Sequence, residues 1–351
     1  MRQCPEGVGG NEDLYMERWM EKRKWLYLAV LVVICLPLSG RLGAGESLPR
    51  LGGILFLQIV AAFGTYFLAG VLYQGELEKL LCVTLYLTCP WHMLFCVAQG
   101  GITDAALWAL IPWYLGGVLQ PAKTEGKGKW LSAGLAAAVL ALIGYGSNVM
   151  LLVLAAFTVF LAFFAGGSAC LPLIPGILLW LPKGIRFFQY LFTSAYDDLG
   201  MPMETIAGKG YAWSDFLTSW NFREGRPGLG MGLLAGLALV IWVKMTGEDE
   251  EEKKTKILKG GLSWLMLLCF FAAACYFPWD YVQRVGSWSL KFVALFESPA
   301  LFMGFGSLFA ALLIPRIVKP LMQEENRLPA RGSLVLVWML GIATAFYFCL
   351  K

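Results

Sequence analysis

The chain has 351 residues, 58% of them hydrophobic and only 15% charged, with a formal net charge of +4 and a mean hydropathy of +0.64. An average soluble domain is about 25% charged, and roughly half of a folded surface must still face water. Those values exclude an ordinary soluble enzyme, a disordered chain and a nucleic-acid binder. The apolar residues come in runs near the length of a membrane span, not in short alternating segments. That pattern points to an all-α, polytopic transmembrane helical bundle and away from a barrel.

In chain order the apolar segments are Trp25–Leu38, Leu51–Tyr73, Leu80–Val97, Ala105–Leu119, Trp130–Ile143, Val149–Phe164, Ala169–Leu181, Gly228–Met245, Ile257–Phe277, Phe292–Ile314 and Ser333–Leu350. They number eleven. Several fall short of the ~20 residues of a perpendicular span, and the shortest adjoin Pro or Gly. Half-spans would bring the count to nine or ten. Gly144-Tyr145-Gly146-Ser147 suits a tight helical hairpin.

The excess of Lys and Arg in cytoplasmic loops gives the orientation. With the N-terminus inside, most of the 28 basic residues fall in inside segments, and the C-terminus lies outside. The expected organisation is a cytoplasmic segment 1–24 and a single transmembrane domain 25–350. Within it lie a long extracytoplasmic segment 182–227 and a charged cytoplasmic loop 246–256. The basic Lys22-Arg23-Lys24 ahead of the first apolar run, with Gly43-Ala44-Gly45 behind it, also fits a cleaved signal peptide. The acidic-then-basic order of Glu248 to Lys254 is that of a solvated loop or of a helix start.

Soluble-enzyme signatures are absent: no phosphate-binding loop, no GxSxG, no HExxH and no dinucleotide fingerprint. Nine cysteines without a CxxC pair read as free thiols, and one histidine argues against a zinc site. The spans hold few ionisable residues, which weighs against a transporter. His92, beside Pro90 and Trp91, is either a cap at a Pro-broken helix or a donor to a substrate. The outer loops are richer, with Gln99-Gly100-Gly101-Ile102-Thr103-Asp104 after the third span and Lys183, Arg186, Asp197, Asp198 and Trp213 in the long segment. Phe277-Pro278-Trp279-Asp280 follows, with Arg284 and Lys291. Aromatics interleaved with charges suit sugar faces and equally suit a helix lying on lipid headgroups.

The order of these features resembles the YfhO-like bacterial membrane proteins of the GT-C glycosyltransferase superfamily. Pro90-Trp91-His92 and the run Val97 to Asp104 fall where that family has Pro-Tyr-Arg and an outer Tyr-x-Arg-Gly-x-x-Gly-Glu stretch. Pro112 follows on the next span, before a cytoplasmic turn. Phe277-Pro278-Trp279-Asp280 matches a family segment, Glu297 to Phe302 takes the place of the next, and Gly228 to Gly232 is similar to a glycine-rich stretch. The likeness covers about residues 51 to 317. It implies a GT-C-like fold and sugar transfer from a polyprenyl-phosphate donor on the outer membrane face, in cell-surface glycan assembly.

The resemblance makes Asp104, Glu46 and Asp280 the expected catalytic carboxylates. His92, Gln99, Lys183, Arg186, Asp197, Asp198, Trp213 and Arg284 are the expected substrate contacts. No protein metal site is expected, although the adjacent Asp197 and Asp198 would suit a divalent ion. The family's three arginines are His92, Gln99 and Leu301 in this chain, and its glutamate is the shorter Asp104. Neutral side chains cannot reproduce a guanidinium's bidentate grip on phosphate. A second expectation therefore stands beside the first: a non-catalytic scaffold or partner subunit derived from the same fold. The expected partners are membrane lipid, the lipid-linked sugar and another membrane protein. The expected location is the bacterial cytoplasmic membrane.

Overall fold

The computed structural model describes residues 21–32, 48–94, 101–122, 126–192, 207–217, 227–246, 253–294, 299–323 and 327–350. Among these residues the protein is helical and has no strand. Seven helices are long and apolar enough to cross a membrane: Gly52–Leu72, Ile102–Leu119, Lys127–Gly146, Asn148–Ala165, Gly167–Gln189, Lys256–Ala273 and Ala300–Met322. Met231–Lys244 and Arg331–Tyr347 are shorter apolar helices.

The first helix, α1, covers residues 21–32. After it, α2 (Leu48–Leu72) stops at the Tyr73-Gln74-Gly75 turn, and α3 (Glu76–Leu87) starts with Glu76 and Glu78 in its first turn. Carboxylates there oppose the partial positive charge of the helix N-terminus. The third apolar segment is not one helix. Pro90 has no N–H and pushes the preceding residue out of the helical region. Cys89 is extended (φ −67°, ψ 142°), and the chain restarts as α4 (Pro90–Met93) with proline in the first turn.

Next, α5 (Ile102–Leu119) runs straight through Pro112 to Leu119. A single residue joins α6 (Lys127–Gly146) to α7 (Asn148–Ala165). Ser147 is extended there, and its Oγ accepts the Met150 N–H at 3.3 Å. Gly144 makes the hairpin close, because a Cβ at that position would lie 2.3 Å from Leu151 and 2.6 Å from the Trp180 ring.

The next helix, α8 (Leu173–Phe192), contains Pro182 and continues past it. The long segment expected from residue 182 therefore begins in helix, which runs on to Phe192. The short α9 (Trp213–Leu217) precedes α10 (Met231–Thr246). Between them Pro227, Gly228, Leu229 and Gly230 are buried without being helical. Gly230 takes a positive φ of 82°, pressed against Pro90 and Thr344.

Lys253 already belongs to α11 (Lys253–Ala273), so the charged loop is shorter than expected. Two short helices, α12 (Trp279–Gln283) and α13 (Ser287–Ala294), then lead to α14 (Ala300–Leu313), α15 (Val318–Gln323) and α16 (Arg327–Leu350).

The span Ala300–Met322 is 83% buried, whereas Asn148–Ala165 and Gly167–Gln189 are 33% buried. The first is the axis of the bundle, and the other two present apolar surface outward. Along the axis Phe305 meets Trp108 and Phe157, and Phe309 also meets Phe157. Several polar side chains inside the bundle are tied to neighbours, as a medium without water favours. The Trp338 indole donates to the hydroxyls of Tyr27 and Thr84, joining α16, α1 and α3. Tyr114 pairs with Thr158 at 2.6 Å, and Tyr73 donates to the Leu312 carbonyl at 2.7 Å.

Helices α2 and α5 run side by side in the same direction, with Gly53 beside Ile102 and Gly64 beside Trp113, and the bundle has two ends. The turns after α2, α5, α7, α10 and α14 gather at one, with Lys24, Lys79, Lys127, Lys256 and Arg316; this is the basic end. At the other, the loop end, α8 finishes and residues 207–217 and 274–294 lie.

Candidate functional site

At the loop end two distant stretches are fastened by backbone pairing. Tyr211 N–H donates to the Ala273 carbonyl at 2.8 Å, and Cys275 N–H donates to the Tyr211 carbonyl at 2.9 Å. Gly210 lies directly on the Cys275 backbone, where a side chain would collide at 2.6 Å. Phe216 turns inward against Phe270, while Trp213 stacks on Tyr276 at 5.9 Å and 16°. The Trp279 indole donates to the Ala272 carbonyl at 2.8 Å, and its ring stacks on Phe302 at the start of α14. Asp280 and Arg284 therefore sit on a short helix anchored to the bundle axis, close to the segment that carries Trp213.

Asp280 occupies the first turn of α12, half-buried, and accepts a long hydrogen bond from the Gln283 amide at 3.4 Å. Arg284 is exposed, its guanidinium 5.4 Å from the Tyr281 ring centre. Arg186 is exposed on the outward face of α8.

Three other expected residues are tied to the fold. Asp104 accepts the Gly101 N–H at 3.3 Å and caps α5. Lys183 donates to the carbonyls of Gly144 (3.3 Å) and Tyr145 (2.7 Å), the end of α6. A cation at that place meets the negative end of the helix dipole. His92 is buried at 1% exposure. Its Nε2 lies 3.0 Å from Gln58 Oε1, and its ring is 4.7 Å from that of Tyr86.

Glu46, Gln99, Asp197 and Asp198 lie outside the described residues. The loop end thus brings Trp213, Asp280 and Arg284 into adjoining segments, and His92 lies deeper, next to Trp91. Trp91 packs on Trp108 and on Gly304 of α14, two residues beyond Phe302. Among the described residues no group of three His, Cys, Asp or Glu side chains gathers to hold a metal ion. Cys82, Cys89, Cys170, Cys269 and Cys275 are free thiols.

Sequence reasoning missed Gln58 and a second charged cluster. Gln58 is a lone amide in the apolar run Leu51–Tyr73, and that rarity was the available signal. The cluster is at the basic end. Glu76 pairs with Lys79 at 3.1 Å and with Lys24 at 3.6 Å, and it accepts a short hydrogen bond from the Tyr66 hydroxyl. Burial pushes the Glu76 carboxyl up. The hydrogen bonds from Tyr66 and Lys79 and the charges of Lys79 and Lys24 together outweigh it and hold the group below its ordinary value. Nearby, Lys259 is 3% exposed, its ammonium 4.2 Å from the Tyr73 ring centre.

These features are those of a multi-pass helical membrane protein with the short helices α9 and α12 at one end. No protein-family model matches the chain, and comparison with curated protein sequences finds no match.

Proposed function

We propose that this protein is a GT-C-type glycosyltransferase of the bacterial cytoplasmic membrane, with its N-terminus inside and its loop end and C-terminus outside. It takes a sugar from a polyprenyl-phosphate donor for cell-surface glycan assembly. The observation that supports this reading is the assembly of Trp213, Asp280 and Arg284 on segments joined by the Tyr211–Ala274 pairing. An aromatic face, a carboxylate and a guanidinium are the groups that contact with a sugar and a phosphate requires. The YfhO-like order of segments supplies the reaction class.

Asp280 is the preferred base or nucleophile, and Asp104, which caps its own helix, is secondary. Purified protein in lipid nanodiscs, given polyprenyl-phosphate sugar and an acceptor glycan, is expected to transfer the sugar. Asp280→Asn should lower that rate by about 10²-fold or more, the usual worth of a general base. Asp104→Asn should lower it far less. Full activity in Asp280→Asn would refute the assignment.

A non-catalytic partner subunit is the second reading. It is favoured by Lys183 and Asp104 capping helices and by His92 lying enclosed against Gln58. Turnover by the isolated protein excludes it.

A further inference from the structure

The short helices of the loop end carry apolar side chains that point away from the bundle. Within α9, Phe216 is buried while Trp213 is 56% exposed and Leu217 is also open. Tyr276 stacks under Trp213 and is itself exposed, as are Val285 and Tyr281, the last at 71%. Scattered single apolar residues on a surface need no explanation, but a contiguous patch does.

This patch continues an apolar stripe of α11. Leu267, Leu268 and Phe271 are exposed on that membrane-length helix, and Phe271 packs edge-on against Phe277, one residue beyond Tyr276. The lipid-facing side of a span therefore passes without a break into the outward side of α9 and α12. The composition also changes in the right sense along that path. Leu and Phe give way to Trp and Tyr, and then to Arg284 with its guanidinium over Tyr281. Amphipathic rings and a cation on a long stem gather where hydrocarbon meets headgroups.

We infer that Trp213, Leu217, Tyr276, Tyr281 and Val285, with Arg284, form a lipid-contacting apron. It seats residues 211–217 and 276–285 in the headgroup layer of the bilayer around α11. The occupant of this face is membrane lipid, the lipid-linked donor of the proposed reaction included, not a protein partner or a soluble glycan. The inference rests on the spans alone and does not depend on the transferase reading.

The test uses the full chain in phosphatidylcholine vesicles, with p-benzoyl-phenylalanine placed singly by Trp213→Bpa or Tyr281→Bpa. Phe163→Bpa is the reference, because Phe163 is 82% exposed in an apolar helix. After illumination, intact mass should show lipid adducts at 213 and 281 within about two-fold of those at 163. Position 217 or 285 gives the same readout where either substitution prevents folding. Lipid adducts at 163 with none at the apron, or apron adducts to a second protein chain, would overturn the inference.

Discussion

Several polar side chains inside the bundle have a definable duty, and His92 is the clearest case. Its ring nitrogen meets Gln58 across α4 and α2 in a region where neither has water. Removing one partner leaves the other buried and unsatisfied, at a cost of about 1–3 kcal/mol. Replacing both by apolar groups of similar shape can be nearly neutral. Thermal unfolding in detergent should therefore show Gln58→Leu and His92→Phe each destabilising, and the double variant recovering most of the loss. Additive losses would mean that the pair is not a unit.

Glu76 makes a pH-dependent contribution. Its carboxyl titrates below the ordinary value, so its pairing stabilises the fold fully above about pH 4.5, the region of an unperturbed carboxylate. That contribution disappears as pH falls through the depressed value. Glu76→Gln should cost about 1–2 kcal/mol near neutral pH, and the gap from the native chain should close in acid. A gap that persists at low pH would assign the effect to packing.

At the scale of elements, proline and serine set the breaks. Pro90 divides α3 from α4 by local geometry that any reader of the sequence can see. Ser147 turns the chain in one residue, and Ser147→Ala should cost about 1 kcal/mol by leaving the α7 N-terminus uncapped. Gly144→Val should cost more, about 1–3 kcal/mol, because the added atoms meet Leu151 and Trp180. Melting temperatures of the two variants check the order.

The same elements mark what stays hidden in the sequence. The hairpin is legible in Gly144-Tyr145-Gly146-Ser147, whereas the end of α8 is not. Pro182 and Lys183 look like the start of a loop, yet the helix runs on to Phe192, and Lys183 is held by carbonyls of α6. That contact joins positions 39 residues apart, and no local pattern announces it. Charge alone therefore assigns Lys183 to substrate, while its partners in the fold are two carbonyls. Arg284 is easier to place, because Tyr281 lies one turn away, whereas Trp213 is placed by Tyr276 and the Tyr211 pairing, far along the chain.

For the whole molecule, the low charge has a spatial meaning. The interior axis of α14 is nearly free of polar groups, and the charged residues lie at the two ends. Basic side chains crowd the end that holds Lys24, Lys79, Lys127 and Lys256. In the proposed orientation that end faces the cytoplasm, as the positive-inside rule expects, and the loop end, with Asp280 and Arg284, faces outward.

Sidedness is the central claim, since sugar transfer from a donor on the outer leaflet requires the loop end to face outward. It can be measured in intact cells with a membrane-impermeant maleimide, after the nine native cysteines are replaced by serine or alanine. Ser214→Cys on α9 and Lys256→Cys on α11 are both exposed positions. The expected result is labelling of position 214 from outside and labelling of position 256 only after the membrane is opened. The reverse pattern would contradict the orientation, and with it the proposed function.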